Sequence, residues 1–571
     1  MRSRLRRAAH AAGSGARPAG AAWVRNRLLA GTLILFLARL LLSLVRSGPV
    51  LVADEIGYLT NARVLADGVA GQLDKAPFYR GGYSLLLWPL LKLSSDPELV
   101  YHLALVLNAA LAASVFPLLY VLLTRFAGVT PMVAIWAAFA GALYPALTVL
   151  SEVTMSENAL FPLVCVWLIA FGGLLEERKG RARLAWAGGL GAATAALWVV
   201  HNRMLTALVL TVAVVVWLGV RRRLRPLEVV TVLSVVALGV LGTHLLDSWL
   251  IDQNYGGRAD SETSQRVGDL LGQHGLRTAL ANLAGQTWYL LVSTFGLAAV
   301  VCAGATGWLR RAGRAAEPLP PVIPLALALT GLLLLISAAA FPERTRPDML
   351  VYGRYAEIVT PVLVAFGIAM LARIEVSPRF FRPLAAFSLL TLLVVLIRAT
   401  ADEPDAVNRW NVSGLPFVTG TLGPAILIGA ALVAVAGAWL LWRVAAGHRV
   451  WLGPLAVALF APIIVYGAWN PVVKSQREVY PSGWESPQPV AESERIDSIA
   501  YDLDHYDAIG LYAFQWFLPD TSVRLFSASR RPPPTRYVLS GHSWPREHPG
   551  TGAVALWEAE GRDQVLWRLR L

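Results

Sequence analysis

Runs of about twenty apolar residues, the length a helix needs to cross a hydrocarbon core, recur along this chain from Leu28 to Trp469. Lipid cannot hydrogen-bond to exposed backbone, so such runs must close their own hydrogen bonds as helices. A mean hydropathy of +0.54, with 56% hydrophobic and 15% charged residues, exceeds what a soluble domain can hide in a core. The formal net charge of +13 does not form a nucleic-acid-binding stripe. The basic residues gather in short links between apolar runs, where they orient spans. Cys165 and Cys302 both fall inside apolar runs, which excludes a disulfide framework and a cysteine metal site.

Thirteen spans are expected, at about 28–45, 101–123, 132–150, 157–175, 184–200, 204–220, 227–250, 286–308, 321–340, 356–372, 384–400, 421–442 and 451–469. The first 27 residues hold seven arginines and no acid, and the run after them lacks a small-residue exit, so it reads as a retained span with its N-terminus in the cytoplasm. Alternate links carry Arg125, Arg178 to Arg183, Arg221 to Arg225, Arg310 to Arg314, Arg373 to Arg382, and Arg443 with Arg449. Those links belong in the cytoplasm, and the longer, more acidic segments 47–100, 251–285, 341–355, 401–420 and the tail from Asn470 belong outside. The division least fixed by sequence is at His201-Asn202-Arg203, where two spans could merge. The tail 470–571 reads as a small extracytoplasmic α/β domain with a helix at Ala508 to Phe517 and strands at Ser522 to Ser527, Thr535 to Ser540, Gly552 to Glu558 and Gln564 to Leu569.

The first outer loop is far longer than a usual helix connection, and long ordered loops tend to carry function. It opens with Asp54-Glu55 and Tyr58 and continues to Lys75, Tyr79, Arg80 and Tyr83. Ile56, Leu59, Ala62 and Val64 follow at helical spacing, which predicts a short helix lying along the membrane surface with the acidic pair at its start. Loop chemistry alone leaves Asp54 as either an N-cap or a catalytic carboxylate.

The order of these pieces resembles the GT-C superfamily of membrane glycosyltransferases, nearest the branch of protein O-mannosyltransferases and lipid A aminoarabinose transferases. The resemblance rests on an arginine in the first span, Asp54-Glu55 with Tyr58, and Tyr79-Arg80-Gly81-Gly82-Tyr83. Ser156-Glu157-Asn158, Arg203 and Tyr352-Gly353-Arg354-Tyr355 with Pro361 follow in order. It covers most of the membrane region and fades in the tail. It implies a GT-C-like all-α membrane domain (28–469) after a basic N-terminus (1–27), a polyprenyl-phosphate sugar donor, and a site at the outer surface with Asp54 as the base.

A sugar on a lipid phosphate already has a competent leaving group, so one base and several cations suffice. Asp54 takes the proton of the acceptor hydroxyl in an inverting displacement while Glu55 orients the substrate; alternatively the two carboxylates hold Mg²⁺, Mn²⁺ or Ca²⁺. Arg354 and Arg203 are the expected phosphate ligands, with Tyr58, Lys75, Tyr79, Arg80, Glu157, Tyr352 and Tyr355 around the substrate. The membrane-anchor reading of Arg354 and the N-cap reading of Glu157 with Ser156 stand beside these roles. Arg39, inside the first span, could pair with Glu152 or Glu157. The acceptor is an extracytoplasmic glycan, lipid or protein, and the composition points to a bacterial plasma membrane. A transporter of lipid-linked sugars would show internal repeats or broken helices around midplane charges, and a non-catalytic assembly protein is the third class.

Overall fold

The computed structural model describes residues 18–50, 52–73, 76–176, 180–257, 272, 275–311, 321–341, 346–373, 378–399, 407–418, 422–480, 485–506, 514–559 and 563–570. Among these, nine helices are long and apolar enough to cross a membrane, and two bent helix pairs raise the number to eleven. Two shorter apolar helices, Pro131–Ala142 and Ala386–Ala399, lie within the remaining expected spans. The chain is thus a helical multi-pass membrane protein. Its outer surface is apolar: Leu29, Leu33, Leu37 and Leu41 form an exposed stripe on the first helix, Pro18–Ser43, at the i, i+4 spacing of one helix face.

Three of the thirteen expected spans are not continuous. Helix Pro131–Ala142 stops and Pro145–Leu150 starts afresh, because Pro145 disfavours helical geometry at Tyr144, which has ψ 129. Gly275–Ser293 and Leu297–Arg311 meet at a bend of 104°. The corner is left-handed, with φ 49 at Phe295 and 73 at Gly296. The segment Pro347–Glu357 meets Thr360–Arg373 at 70°. The division at His201 is present: helix Arg181–Val200 ends, His201 is extended, and Asn202–Met204 makes one 3-10 turn before Leu205–Val220.

The tail carries a five-stranded sheet of β1 (Ser498–Asp502), β2 (Ser522–Phe526), β3 (Tyr537–Ser540), β4 (Val554–Glu558) and β5 (Val565–Arg568). The strand order is β2-β1-β3-β5-β4, parallel across β2-β1-β3 and antiparallel across β3-β5-β4. Four of these strands lie where the sequence places them; β1 is additional. Of the expected helix at 508–517, residues 514–517 are helical and 507–513 lie outside the described residues. The expected boundary at Asn470 falls inside helix, since Leu452–Gly467 runs on through Ala468–Lys474 to Ser475–Val479. One side of the sheet, with Ile499, Tyr501 and Leu566, belongs to the same apolar core as the membrane helices. The other holds a separate small cluster around Trp544 and Trp567.

The first outer loop is sandwiched between these two parts. Its helix, Val52–Leu65, does not lie on the membrane surface with one face free: Glu55 through Val64 are all buried. Arg63 donates to the carbonyls of Gln515 (2.6 Å) and Trp516 (3.0 Å), and Gln515 closes a two-way amide pairing with the Gln72 backbone. Loop and tail therefore touch, on the same side of the bundle.

Candidate active site

Four helix ends converge and bring four charges together. Asp54 sits in the first turn of Val52–Leu65, Glu157 opens Glu157–Leu175, Arg203 lies in the turn after His201, and Arg354 starts the short helix Arg354–Glu357. Arg354 is the hub. Its Nη1 donates to Asp54 Oδ2 (2.8 Å), and its Nε and Nη2 each lie 3.1 Å from Glu157 Oε1. Arg203 Nη2 lies 2.9 Å from that same Glu157 oxygen. Two carboxylates and two guanidiniums balance, which lets charge persist at low accessibility. Side-chain exposure falls from 27% at Asp54 through 11% at Arg354 to 1% at Arg203 and 0% at Glu157. The cluster therefore opens on the Asp54 side.

Asp54 is held from a second direction by the Tyr79 hydroxyl, which donates to Oδ1 at 2.9 Å. Burial, then the neighbouring carboxylate, holds the Tyr79 phenol well above its usual range, so it stays a donor. The Tyr79 main chain is pinned by Asn61, whose amide donates to Tyr79 O, and by the Tyr255 hydroxyl, which accepts from Tyr79 N. Gly57 makes room for the ring, because a Cβ there would collide with it. Tyr58 donates to Ser156 Oγ at 2.9 Å, beside Glu157, and its phenol is raised chiefly by burial. Ser156 occupies the cap position of the Glu157 helix without a side-chain capping bond.

The remaining predicted residues divide. The Tyr355 ring lies 5.0 Å under the Arg203 guanidinium and packs on His201 and Tyr352, so the two tyrosines shape the wall of the ion cluster. Arg80 stands at its edge: it stacks 3.5 Å over Trp198, donates to Trp198 O and Asn202 Oδ1, and faces Asp247 at 3.7 Å. Lys75 lies outside the described residues. Glu55 is not in the cluster. It is buried, with Oε1 accepting from Val50 N (2.8 Å) and Oε2 from the Tyr101 hydroxyl (2.7 Å), Thr154 N (2.7 Å) and Thr154 Oγ1 (3.0 Å). Asp54 and Glu55 therefore present no joint metal site, and among the described residues no three ligating side chains converge on one. Arg39 makes no direct salt bridge with either expected glutamate, Glu152 acting on it only at longer range; it donates to the carbonyls of Leu35 (3.0 Å) and Ala142 (2.9 Å).

Sequence reasoning missed Asn411. Its Oδ1 lies 3.5 Å from Arg354 Nη1, its carbonyl accepts from Gly353 N (2.8 Å), and its amide donates to the buried Asp348 (2.6 Å). Asn411 thus sets the turn that aims Arg354. The one available signal was its place in the outward link 401–420.

Helix ends gathered over a membrane bundle, closed by a mixed sheet, define a polytopic membrane protein of the GT-C fold. ArnT from Cupriavidus metallidurans shares it. Its apo structure superposes with a TM-score of 0.54 at 14% identity, over 96% of this chain and 98% of that one. Its structure bound to undecaprenyl phosphate gives 0.51 at 15% identity over the same shares. No protein-family model and no curated protein sequence matches the chain.

Proposed function

We propose that this protein is an integral membrane glycosyltransferase that moves a sugar from a polyprenyl-phosphate donor to an extracytoplasmic acceptor, with Asp54 as the base. The observation that carries this reading is a partly exposed carboxylate held between a tyrosine hydroxyl and an arginine, with a second buried arginine behind. The acceptor hydroxyl attacks the anomeric carbon and gives its proton to Asp54. The bond from that carbon to the phosphate oxygen breaks, its electron pair leaves with the polyprenyl phosphate, and a single displacement inverts the configuration. Arg354, already facing the opening, offers its fork to the phosphate as negative charge grows there. In doing so it releases Asp54 Oδ2 to meet the acceptor, so donor binding readies the base. Glu157 and Arg203 keep Arg354 charged and aimed, and Glu55 anchors the loop that carries Asp54. The ArnT fold holding undecaprenyl phosphate supports a lipid-phosphate donor. In a bacterial plasma membrane, the arginine-rich links place the N-terminus in the cytoplasm and the loop and tail outside.

The test is Asp54→Asn, which preserves shape and removes only basicity. Purified protein should lose transfer from a panel of polyprenyl-phosphate-linked monosaccharides while binding undecaprenyl phosphate at least as well as wild type. Near-normal turnover in that variant removes Asp54 from the chemistry.

A further inference from the structure

A cavity of about 430 Å³ lies between the membrane bundle and the tail. Three stretches distant in sequence build it: Ser47 after the first span, Asp96 to Glu98 at the start of helix Pro97–Leu122, and the tail. Its wall is aromatic, from Tyr480, Phe517 and Trp557, and its rim carries the carboxylates of Asp96, Glu98 and Glu485. The aromatic wall is fixed in place. Tyr480 packs edge-on against Phe517 and donates to Pro49 O (2.7 Å), and Trp557 donates its indole N–H to Glu485 O (3.2 Å). Gly48 permits this approach, since a Cβ there would lie 2.8 Å from both the Phe517 ring and the Tyr480 hydroxyl.

We infer that this cavity is a carbohydrate subsite that holds a neutral acceptor glycan. Aromatic faces take the C–H surface of a sugar ring, and carboxylates accept hydrogen bonds from its hydroxyls. Among the described residues that line the cavity none is cationic and three are acidic, which sets its charge apart from that of the donor position at Arg354. Its volume falls in the range of small-ligand sites. Its wall is also tied to the loop that carries the base. Tyr480 holds Pro49 O, Val50 N donates to Glu55, and Glu55 is the residue beside Asp54.

This inference rests on the glycosyl-transfer reading, and the experiment separates the two. The full-length wild type in lipid nanodiscs is mixed with arabinan, mannan and glucan hexasaccharides, and saturation-transfer NMR reads binding; undecaprenyl-phosphate binding is measured on the same sample. At least one hexasaccharide should bind. The double variant Glu98→Gln with Glu485→Gln changes two exposed rim groups and should bind that sugar at least tenfold more weakly. Failure of all three sugars to bind wild type, equal binding by the variant, or preferential binding of a lysine-rich peptide each overturns the subsite. Failure to bind undecaprenyl phosphate counts against the donor assignment instead, whatever the sugars do.

Discussion

Replacing Arg354 by lysine keeps the charge and removes the fork, which makes it the sharpest probe of the ion cluster. In the resting site the guanidinium makes one contact to Asp54 at 2.8 Å and two to Glu157 at 3.1 Å. A lysine ammonium is a point charge on a flexible stem and can retain one of these directions, so two charge-assisted contacts go. Each is worth roughly 1.5–3 kcal/mol; the surviving Arg203 contact to Glu157 favours the lower bound, giving a total of about 3 kcal/mol. If those contacts pass to the donor phosphate during transfer, the loss corresponds to about two decades in rate. The assay compares transfer by wild type, Arg354→Lys and Arg354→Ala in nanodiscs, with undecaprenyl-phosphate affinity and melting temperature measured in parallel. Both variants should lose transfer and affinity together. A lysine variant within threefold of wild type would refute the reasoning and make Arg354 an interfacial anchor, a role lysine fills as well.

Three further outcomes follow from the geometry. Glu55→Gln must set an amide N–H against donors that now meet a carboxylate, so it should cost about 1–3 kcal/mol of stability while undecaprenyl-phosphate affinity holds; an unchanged melting temperature with abolished transfer would instead make Glu55 a participant in the chemistry. In the tail, hydrogen bonds to Glu558 and then Asp563 raise the His542 pKa, so its contribution is fully present below the unfolded value of about 6.5 and is lost as pH rises through the folded value; calorimetry should show the tail melting earlier at pH 8 than at pH 6, and His542→Gln should flatten that difference. Cysteines placed at Ser95 and Ser543 should both react with an impermeant thiol reagent in intact cells, and labelling of only one would contradict the contact between loop and tail.

Hydropathy made the helical bundle readable because it is a local sum over one span's length. It could not show where an apolar run turns a corner: Phe295 and Gly296 adopt left-handed geometry inside uniformly apolar sequence, whereas the break before Pro145 was visible in principle. Strand β1 escaped notice because Ser498–Asp502 is short and buried between two parallel neighbours, so it lacks the alternation of a half-exposed strand. At the site, the ordered motifs led to the residues that meet in space, Asp54, Tyr79, Glu157, Arg203 and Arg354. Glu55 was paired with Asp54 because they are neighbours in sequence. On a helix, neighbours point about 100° apart, and that rotation sends one carboxylate to the ion cluster and the other to Tyr101 and Thr154. Asn411 had no motif, since its role depends on a turn formed with Gly353 across the fold.

The clamp of Arg63 on Gln515 and Trp516 also bears on the order of biosynthesis. The loop that carries Asp54 emerges early, directly after the first span, yet the groups that close over it are more than four hundred residues further on. Arg354 and Asn411 come late as well. A growing chain would thus insert helix after helix with its acidic loop exposed and its charges unmatched. Assembly of the site would wait on the last segment, so a half-inserted protein would lack both the closed ion cluster and the clamp over its loop.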